Sequence, residues 1–406
     1  MLSIRSLLGT SGTNLAVVGI STIGGIVMAR FMQPDERGAY AAAFVWMTLL
    51  QIVTERGYFG AIVHGVASAP SARRTIYGFS LSRVLLTSVP VGLIGTAVVV
   101  FVVPENSGKG ALVSAMLMLP LTTAAMTALF ALYGTSVVAW NRVRLIQAAI
   151  YLTAIATLAV LDRISPLACI WAAMGSVAAG GGVSSVLFLT ANWNNNASSD
   201  RNDLRAYART NYSWQLPTIA NNRIDQLALS VIAANAVLGN YAIAVAYGAL
   251  ILPATTAIGH VAFPALSSLR SNQAVIRRDM IRRAVKLSLV VGTFAACVAA
   301  AGAPLVIPLV FGEQYQGAVI LAVILAPAVW GAAIRQVMSD ILRGVNNQKP
   351  AARMEIGALL VSLVLLPPAI ILGGAIGAAC VMAIISFSSA TTLLMVVRKY
   401  VAATVS

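Results

Sequence analysis

Long apolar runs separated by short basic segments form the main pattern of this chain. Each run is continuous and approaches the roughly 20 residues that a helix needs to cross a bilayer. Transmembrane β-barrels alternate polar and apolar residues instead, so the runs predict helices. About twelve helices are predicted, at residues 13–31, 38–67, 76–103, 111–138, 145–161, 167–190, 207–234, 238–268, 284–311, 317–343, 354–372 and 374–397.

Composition agrees with this pattern. Hydrophobic residues make up 59% of the 406 residues and charged residues only 10%, with a mean hydropathy of +0.86. A soluble domain carries about 25% charged residues, and a disordered chain has few apolar residues and many charges. Both classes are therefore excluded. The sequence predicts an all-α polytopic membrane protein.

The basic residues predict the orientation of the helices. If the N-terminus lies in the cytoplasm, four of the 27 Lys and Arg residues fall outside the cell and four inside spans, which leaves 19 in cytoplasmic segments. This asymmetry is what the positive-inside rule produces, so both termini are expected in the cytoplasm. The net charge of +15 is spread over short loops and predicts no nucleic-acid partner.

No recognisable catalytic or metal-binding pattern is present. The three cysteines lie in apolar runs, and His64 and His260 have no ligand-forming residue at metal spacing. A Walker lysine motif, a kinase motif and a nucleophile elbow are missing from the sequence. We therefore expect no catalytic residue, no metal and no cofactor, and a protein that is not an enzyme.

An internal repeat predicts two halves. The segment Gly38–Ala41 recurs as Gly239–Ala242 at an offset of 201 residues. Because six helices per repeat is an even number, both halves should have the same orientation around a central cavity, as in parallel-repeat transporters. The predicted domains are an N-terminal half at 1–190, a cytoplasmic linker at 191–206 with an asparagine run at 192–196, and a C-terminal half at 207–406.

Several short motifs resemble one family of transporters. The segment Ala29–Tyr40 resembles the first-loop signature of bacterial polysaccharide and O-antigen flippases, with Gln33 where glycine is usual. This family belongs to the multidrug/oligosaccharidyl-lipid/polysaccharide (MOP) exporter superfamily. Further motifs of the family are matched in order by Asn222–Asp225, Leu238–Tyr241, Phe263–Leu266 and Leu309–Tyr315.

The resemblance implies a flippase that moves a polyprenyl-pyrophosphate glycan across the bacterial inner membrane by alternating access, for surface polysaccharide biosynthesis. Its partners would be the lipid bilayer, the lipid-linked glycan and other membrane proteins of polysaccharide assembly. A multidrug or cation antiporter of the same superfamily is the main alternative. A major-facilitator transporter lacks support because its motif between helices 2 and 3 is missing, and a membrane glycan polymerase, an enzyme, would need a large outside loop.

Ionisable residues inside the spans are the candidate site, because they are costly in a bilayer and usually face a partner or a wet cavity. A guanidinium can bind a phosphate through two hydrogen bonds, so we expect substrate binding by Arg223, Arg56 and Arg335. A coupling or counter-charge role is expected for Asp225, Glu55 and Asn221, and a cavity-lining position for His260. Arg83 is expected to extend its charge to the membrane surface. Four arginines against three acids inside the spans favour an anionic substrate.

Overall fold

A computed structural model describes residues 4–403, except 105–107, 192–200, 251, 268, 270–272 and 346. The described residues form helices and turns, with no strand among them. The chain divides into two compact units, Met1–Leu216 and Pro217–Ser406.

The first unit contains seven helices and most of an eighth. They are α1 (Ile4–Phe31), α2 (Pro34–Glu55), α3 (Tyr58–Ser68), α4 (Arg73–Val102), α5 (Lys109–Thr135), α6 (Val137–Val160), α7 (Pro166–Thr190) and α8 (Arg201–Asn221). Helix α8 crosses the boundary between the units, which lies after Leu216. Its first part belongs to the first unit, because Leu204 and Ala208 pack in an apolar cluster with α3 and α4. Of the predicted linker 191–206, the residues from Arg201 onward are therefore helical, and the asparagine run lies outside the described residues.

The second unit contains six further helices. They are α9 (Ile224–Ile232), α10 (Asn235–Ala249), α11 (Leu252–Ser267), α12 (Ala274–Val306), α13 (Gln316–Gly344) and α14 (Lys349–Ala403). Gly374 interrupts α14 with a φ of 56°, so α14 consists of two helical limbs. Those limbs correspond to the last two predicted spans.

The structure confirms the polytopic helical class. Eight described segments are long and apolar enough to cross a membrane, and one of them, 349–402, contains both limbs of α14. The remaining three predicted spans are the second, seventh and eighth. The prediction of an unbroken helix is wrong for each of these three, since each consists of two shorter helices.

Proline explains one of these breaks. Helix α10 ends at Ala249 and α11 begins at Leu252, with Pro253 in its first turn. A proline cannot donate a backbone hydrogen bond, and its ring clashes with the carbonyl four residues earlier, which here belongs to Ala249. The helix therefore ends where Pro253 would otherwise disrupt it.

The fourth span of each unit forms its centre. Helix α5 packs against α2, α3, α4, α6 and α7, and α13 packs against α10, α11, α12 and α14. Small residues permit this close packing, as they do between membrane helices in general. Gly181 of α7 faces Ala125 of α5 directly, and Gly331 of α13 faces the backbone of Ser386.

The two units share a further internal correspondence. Tyr40 is the seventh residue of α2 and Tyr241 the seventh residue of α10, and both are buried. Each of these helices is the first segment of a broken second span in its own unit. This agreement supports the repeat that the 201-residue offset predicts.

Candidate functional site

The second span is interrupted at Arg56 and Gly57. Both residues have left-handed backbone conformations, with φ of 50° and 81°. Glu55, only 2% exposed, accepts a hydrogen bond from the backbone N–H of Phe59 at 3.0 Å. A carboxylate near a helix start is favourable because it satisfies donors that lack a partner within the helix. Glu55 therefore caps α3, while the side chain of Arg56 is exposed.

Helix α8 packs directly on this interruption. The side-chain amide of Asn211 donates to the carbonyl oxygen of Gly57 at 3.3 Å. A Cβ atom at Gly57 would collide with the carbonyl oxygen of Ala208. Glycine is thus required at position 57 for two reasons, its backbone angle and its closeness to α8.

Gly57→Ala should destabilise the protein. The left-handed conformation alone costs a residue with a Cβ roughly 1–2 kcal/mol, and the collision with Ala208 adds to this cost. We expect a clear loss of thermal stability in detergent, measured by the unfolding temperature. Gly175→Ala is the matched control, because Gly175 lies within α7 with open space where a Cβ would be. An unchanged unfolding temperature for Gly57→Ala would contradict this account.

The seventh span is interrupted at Asn222 and Arg223. The backbone N–H groups of these two residues donate to carbonyls only three residues back, at 3.2 and 3.0 Å. The carbonyl of Arg223 then accepts from Leu227 at 2.9 Å and starts α9. Asparagine favours turns and helix caps because its side chain competes for backbone hydrogen bonds. Arg223 therefore lies at a break, half-buried, and not within one long helix as the sequence suggested.

Asp225 lies in the first turn of α9 and is buried. Its carboxylate accepts hydrogen bonds from the hydroxyl of Tyr241 and from the backbone N–H of Gln226, both at 2.7 Å. The hydroxyl contact links α9 to α10. Position and hydrogen bonds both suit a carboxylate at this point, since the positive end of the helix dipole favours negative charge.

A second buried network joins α8, α13 and α14. The side-chain amide of Asn221 donates to the Glu355 carboxylate at 2.7 Å and to its backbone carbonyl at 2.8 Å. The other carboxylate oxygen of Glu355 pairs with Nε of Arg335 at 3.3 Å. All three side chains are buried, with 3%, 7% and 9% exposure for Asn221, Glu355 and Arg335. Arg335 thus has an acidic partner within its own unit.

Glu355 is the residue that sequence reasoning missed. It is the second residue of the predicted eleventh span, 354–372, but was not counted among the ionisable residues of the spans. Including it changes the charge balance. Among the described residues, the buried acids are Glu55, Asp225, Asp340 and Glu355, and the buried arginines are Arg37 and Arg335. The argument from an excess of arginine is therefore wrong for the buried side chains.

Three other candidates from the sequence remain. His260 is exposed on α11, and Arg83 is half-buried on α4. Asp340 is buried on α13, where it accepts from Gln336 at 3.2 Å and pairs with Arg343 at 3.3 Å. In the part of the chain that the structure describes, no three His, Cys, Asp or Glu side chains come close enough to hold a metal.

The family is decided by comparison with known sequences. Residues 27–320 match the family model described as "Polysaccharide biosynthesis protein". The chain belongs to this family. No curated protein matches the sequence significantly.

Solved structures of low sequence identity share the fold of this protein. A lipid II flippase, MurJ, in an inward closed conformation has a TM-score of 0.78 at 13% identity, covering 98% of this chain and 88% of that one. An inward-facing multidrug resistance MATE family transporter has a TM-score of 0.73 at 13% identity, covering 95% and 94%. A MOP superfamily transporter from Pyrococcus furiosus has a TM-score of 0.60 at 11% identity, covering 99% and 96%. The protein therefore has the fold of MOP superfamily transporters.

Proposed function

We propose that this protein is a flippase that moves a polyprenyl-diphosphate-linked oligosaccharide across the bacterial inner membrane by alternating access. The observation that carries the proposal is the break in the seventh span, where the half-buried Arg223 lies directly before the apolar helix α9. An arginine near the middle of a bilayer costs at least about 2.5 kcal/mol on insertion scales. An anionic head group would offset that cost together with the nearby carboxylate of Asp225, and would give the residue its role.

The chemistry of Arg223 suits a diphosphate. A guanidinium is always charged and presents a planar fork of donors that matches two phosphate oxygens. Arg56 also lies at a helix break and is exposed, so it is a second candidate contact. Arg335 fits a supporting role better, because Glu355 already pairs with it. The family's description, which concerns polysaccharide biosynthesis, supports a glycan as the rest of the substrate.

Flipping by the purified protein tests this function. In liposomes that contain a short lipid-linked oligosaccharide, the protein should increase the fraction of glycan that an impermeant glycosidase reaches from the opposite side. Protein-free liposomes and liposomes with an unrelated membrane protein are the controls. Correctly inserted protein that leaves the accessible fraction unchanged would refute the proposal.

A multidrug or cation antiporter is the second candidate. It is favoured by the buried carboxylates, particularly Asp225 with its hydrogen bond from Tyr241, since a buried acid is a usual site for a coupling cation. The fold of a multidrug resistance transporter agrees with it as well. Under this alternative, liposomes with an imposed ion gradient would expel a cationic dye, and the glycan assay would give no signal.

A further inference from the structure

Three arginines of the first unit converge on one aromatic ring. Arg83 of α4 and Arg201 and Arg205 of α8 place their guanidinium carbons 5.2, 5.7 and 5.3 Å from the ring centre of Phe79. Arg201 and Arg205 are four residues apart and therefore lie on the same side of their helix. The electron-rich face of the ring attracts each of these cations. The three positive charges still repel one another, so a bound anion between them would be favourable. We refer to these three arginines and Phe79 as the arginine cluster.

Two adjoining cavities accompany the arginine cluster. One has a volume of about 460 Å³ and is lined by Phe79, Arg83, Leu86 and Arg201, among others. The second, of about 250 Å³, shares Arg83 and Leu86 with the first. Its lining adds three further arginines, which are Arg56, Arg205 and Arg209. Within the described residues, neither cavity is lined by an acidic side chain. The space is therefore both larger than one phosphate group and strongly positive.

Among the residues that the structure describes, no acidic side chain neutralises the arginine cluster. In the described part of the chain, Arg83, Arg201 and Arg205 form no ion pair with an acid, and Arg205 donates to the amide oxygen of Asn202 at 3.2 Å. Asp203 follows Arg201 by two positions, which places it on the far side of α8. Basic residues at a cytoplasmic membrane surface need no convergence to satisfy the positive-inside rule. Their convergence here calls for a separate cause.

An exposed apolar stripe continues from the arginine cluster along α4. Leu86, Val89 and Leu93 are 66%, 40% and 60% exposed. Together with Phe79 and Ser82 they repeat at intervals of three and four residues, which places them on one face of the helix. A ligand that covers both regions has an anionic head and a long apolar chain. This combination is the chemistry of a phosphate-bearing lipid.

We propose that the arginine cluster binds the diphosphate head of a prenyl-linked lipid, with the prenyl chain along Leu86, Val89 and Leu93. The choice of substrate class rests on the proposed flippase function. A diphosphate diester carries two negative charges, whereas the phosphodiester of a common phospholipid carries one, so the diphosphate matches three guanidinium groups better. Guanidinium forks can each bind two phosphate oxygens. The arginine cluster consists of residues of the first unit and does not include Arg223. The predicted topology places it at the cytoplasmic ends of α4 and α8, where a lipid-linked glycan made in the cytoplasm would first be met.

Binding of a polyprenyl diphosphate without any glycan tests the proposal. The full-length protein is placed in nanodiscs of phosphatidylcholine, in an Arg223→Ala background that removes the main contact of the proposed flippase site. The double substitution Arg83→Ala/Arg205→Ala should then weaken binding by about a hundredfold, at roughly tenfold for each charged hydrogen-bonding partner lost. The matched control is Arg282→Ala/Arg283→Ala, which removes two exposed arginines of α12 and should leave binding within about twofold. Equal binding by the two double variants would overturn the proposal.

A competition experiment distinguishes a prenyl diphosphate from an ordinary anionic phospholipid as the ligand of the arginine cluster. An excess of phosphatidylglycerol should leave the polyprenyl diphosphate bound, whereas displacement at equal concentration would assign the site to anionic phospholipids and overturn the proposal. If the double alanine variant fails to fold, Arg83→Lys/Arg205→Lys replaces it. That variant keeps the charge but loses the planar forks, so weakening of at least about tenfold is expected and unchanged binding would contradict the proposal.

The result of these binding experiments is independent of the result of the flipping assay. Protein that binds polyprenyl diphosphate through the arginine cluster but flips no glycan would refute the flippase function and leave the binding site in place. Protein that flips glycan normally while the alanine double variant binds polyprenyl diphosphate like the wild type would refute the binding site alone.

Discussion

Arg223→Ala is expected to abolish export of lipid-linked glycan in cells that depend on this protein, while the protein still reaches the membrane. The guanidinium supplies a charged, two-point contact to the diphosphate, and such contacts are worth roughly 1.5–3 kcal/mol each. The loss should therefore be at least about tenfold in surface glycan per unit of protein. Immunodetection of the glycan, normalised to the protein in the membrane fraction, measures it.

Two further variants separate charge from geometry at this position. Arg223→Lys should recover only part of the export, because a point charge replaces a planar fork. Arg282→Ala removes an exposed arginine of α12 and should export normally. Normal glycan export by Arg223→Ala at wild-type protein abundance would eliminate the central claim and direct attention to the antiporter alternative.

Glu355→Ala should be strongly destabilising. It removes the partner of Arg335 and one of the two acceptors for the side-chain amide of Asn221 in a buried network. Removing one member of a buried ion pair lowers the free energy of unfolding by about 3–5 kcal/mol, because the remaining charge is left uncompensated. The unfolding temperature in detergent and the amount of folded protein measure the effect. Arg353→Ala, at an exposed neighbouring position of α14, is the control and should change little.

A paired substitution then decides the role of Arg335. Arg335→Met/Glu355→Leu removes both charges and should recover most of the stability, since apolar residues of similar volume often replace a buried pair without loss. Normal glycan export by this double variant would identify the pair as structural. Lost export by a stable double variant would instead support the predicted contact between Arg335 and the substrate. An equal loss of stability for the single and double variants would contradict the uncompensated-charge explanation.

The sequence alone predicted the class of the protein for a local reason. A chain in lipid must satisfy its backbone hydrogen bonds within each segment, so every span leaves a continuous apolar run in the sequence. The last two spans, around Gly374, were found as two separate helices in this way. The motifs from Ala29 to Tyr315 likewise identified the family, which the match over residues 27–320 bears out.

The helix breaks were only partly readable. Pro253 and Gly57 are residues that end helices, and each could have been taken as a signal within its span. The break at Asn222 and Arg223 has weaker local signals, because asparagine only competes for backbone hydrogen bonds. Counting residues along an unbroken helix therefore placed Arg223 within a helix instead of at its interruption.

Partnerships between distant residues were decided by the tertiary structure alone. Asn221 and Glu355 are 134 residues apart, and their pairing depends on how α8 meets α14 within the second unit. The convergence of Arg83 with Arg201 and Arg205 likewise depends on α8 packing against α4. Hydrophobic periodicity and charge bias describe each segment against lipid and water, but they contain no information about which segment is its neighbour. The helical, multi-pass membrane class thus followed from the sequence, whereas the partner of each buried charge followed from packing.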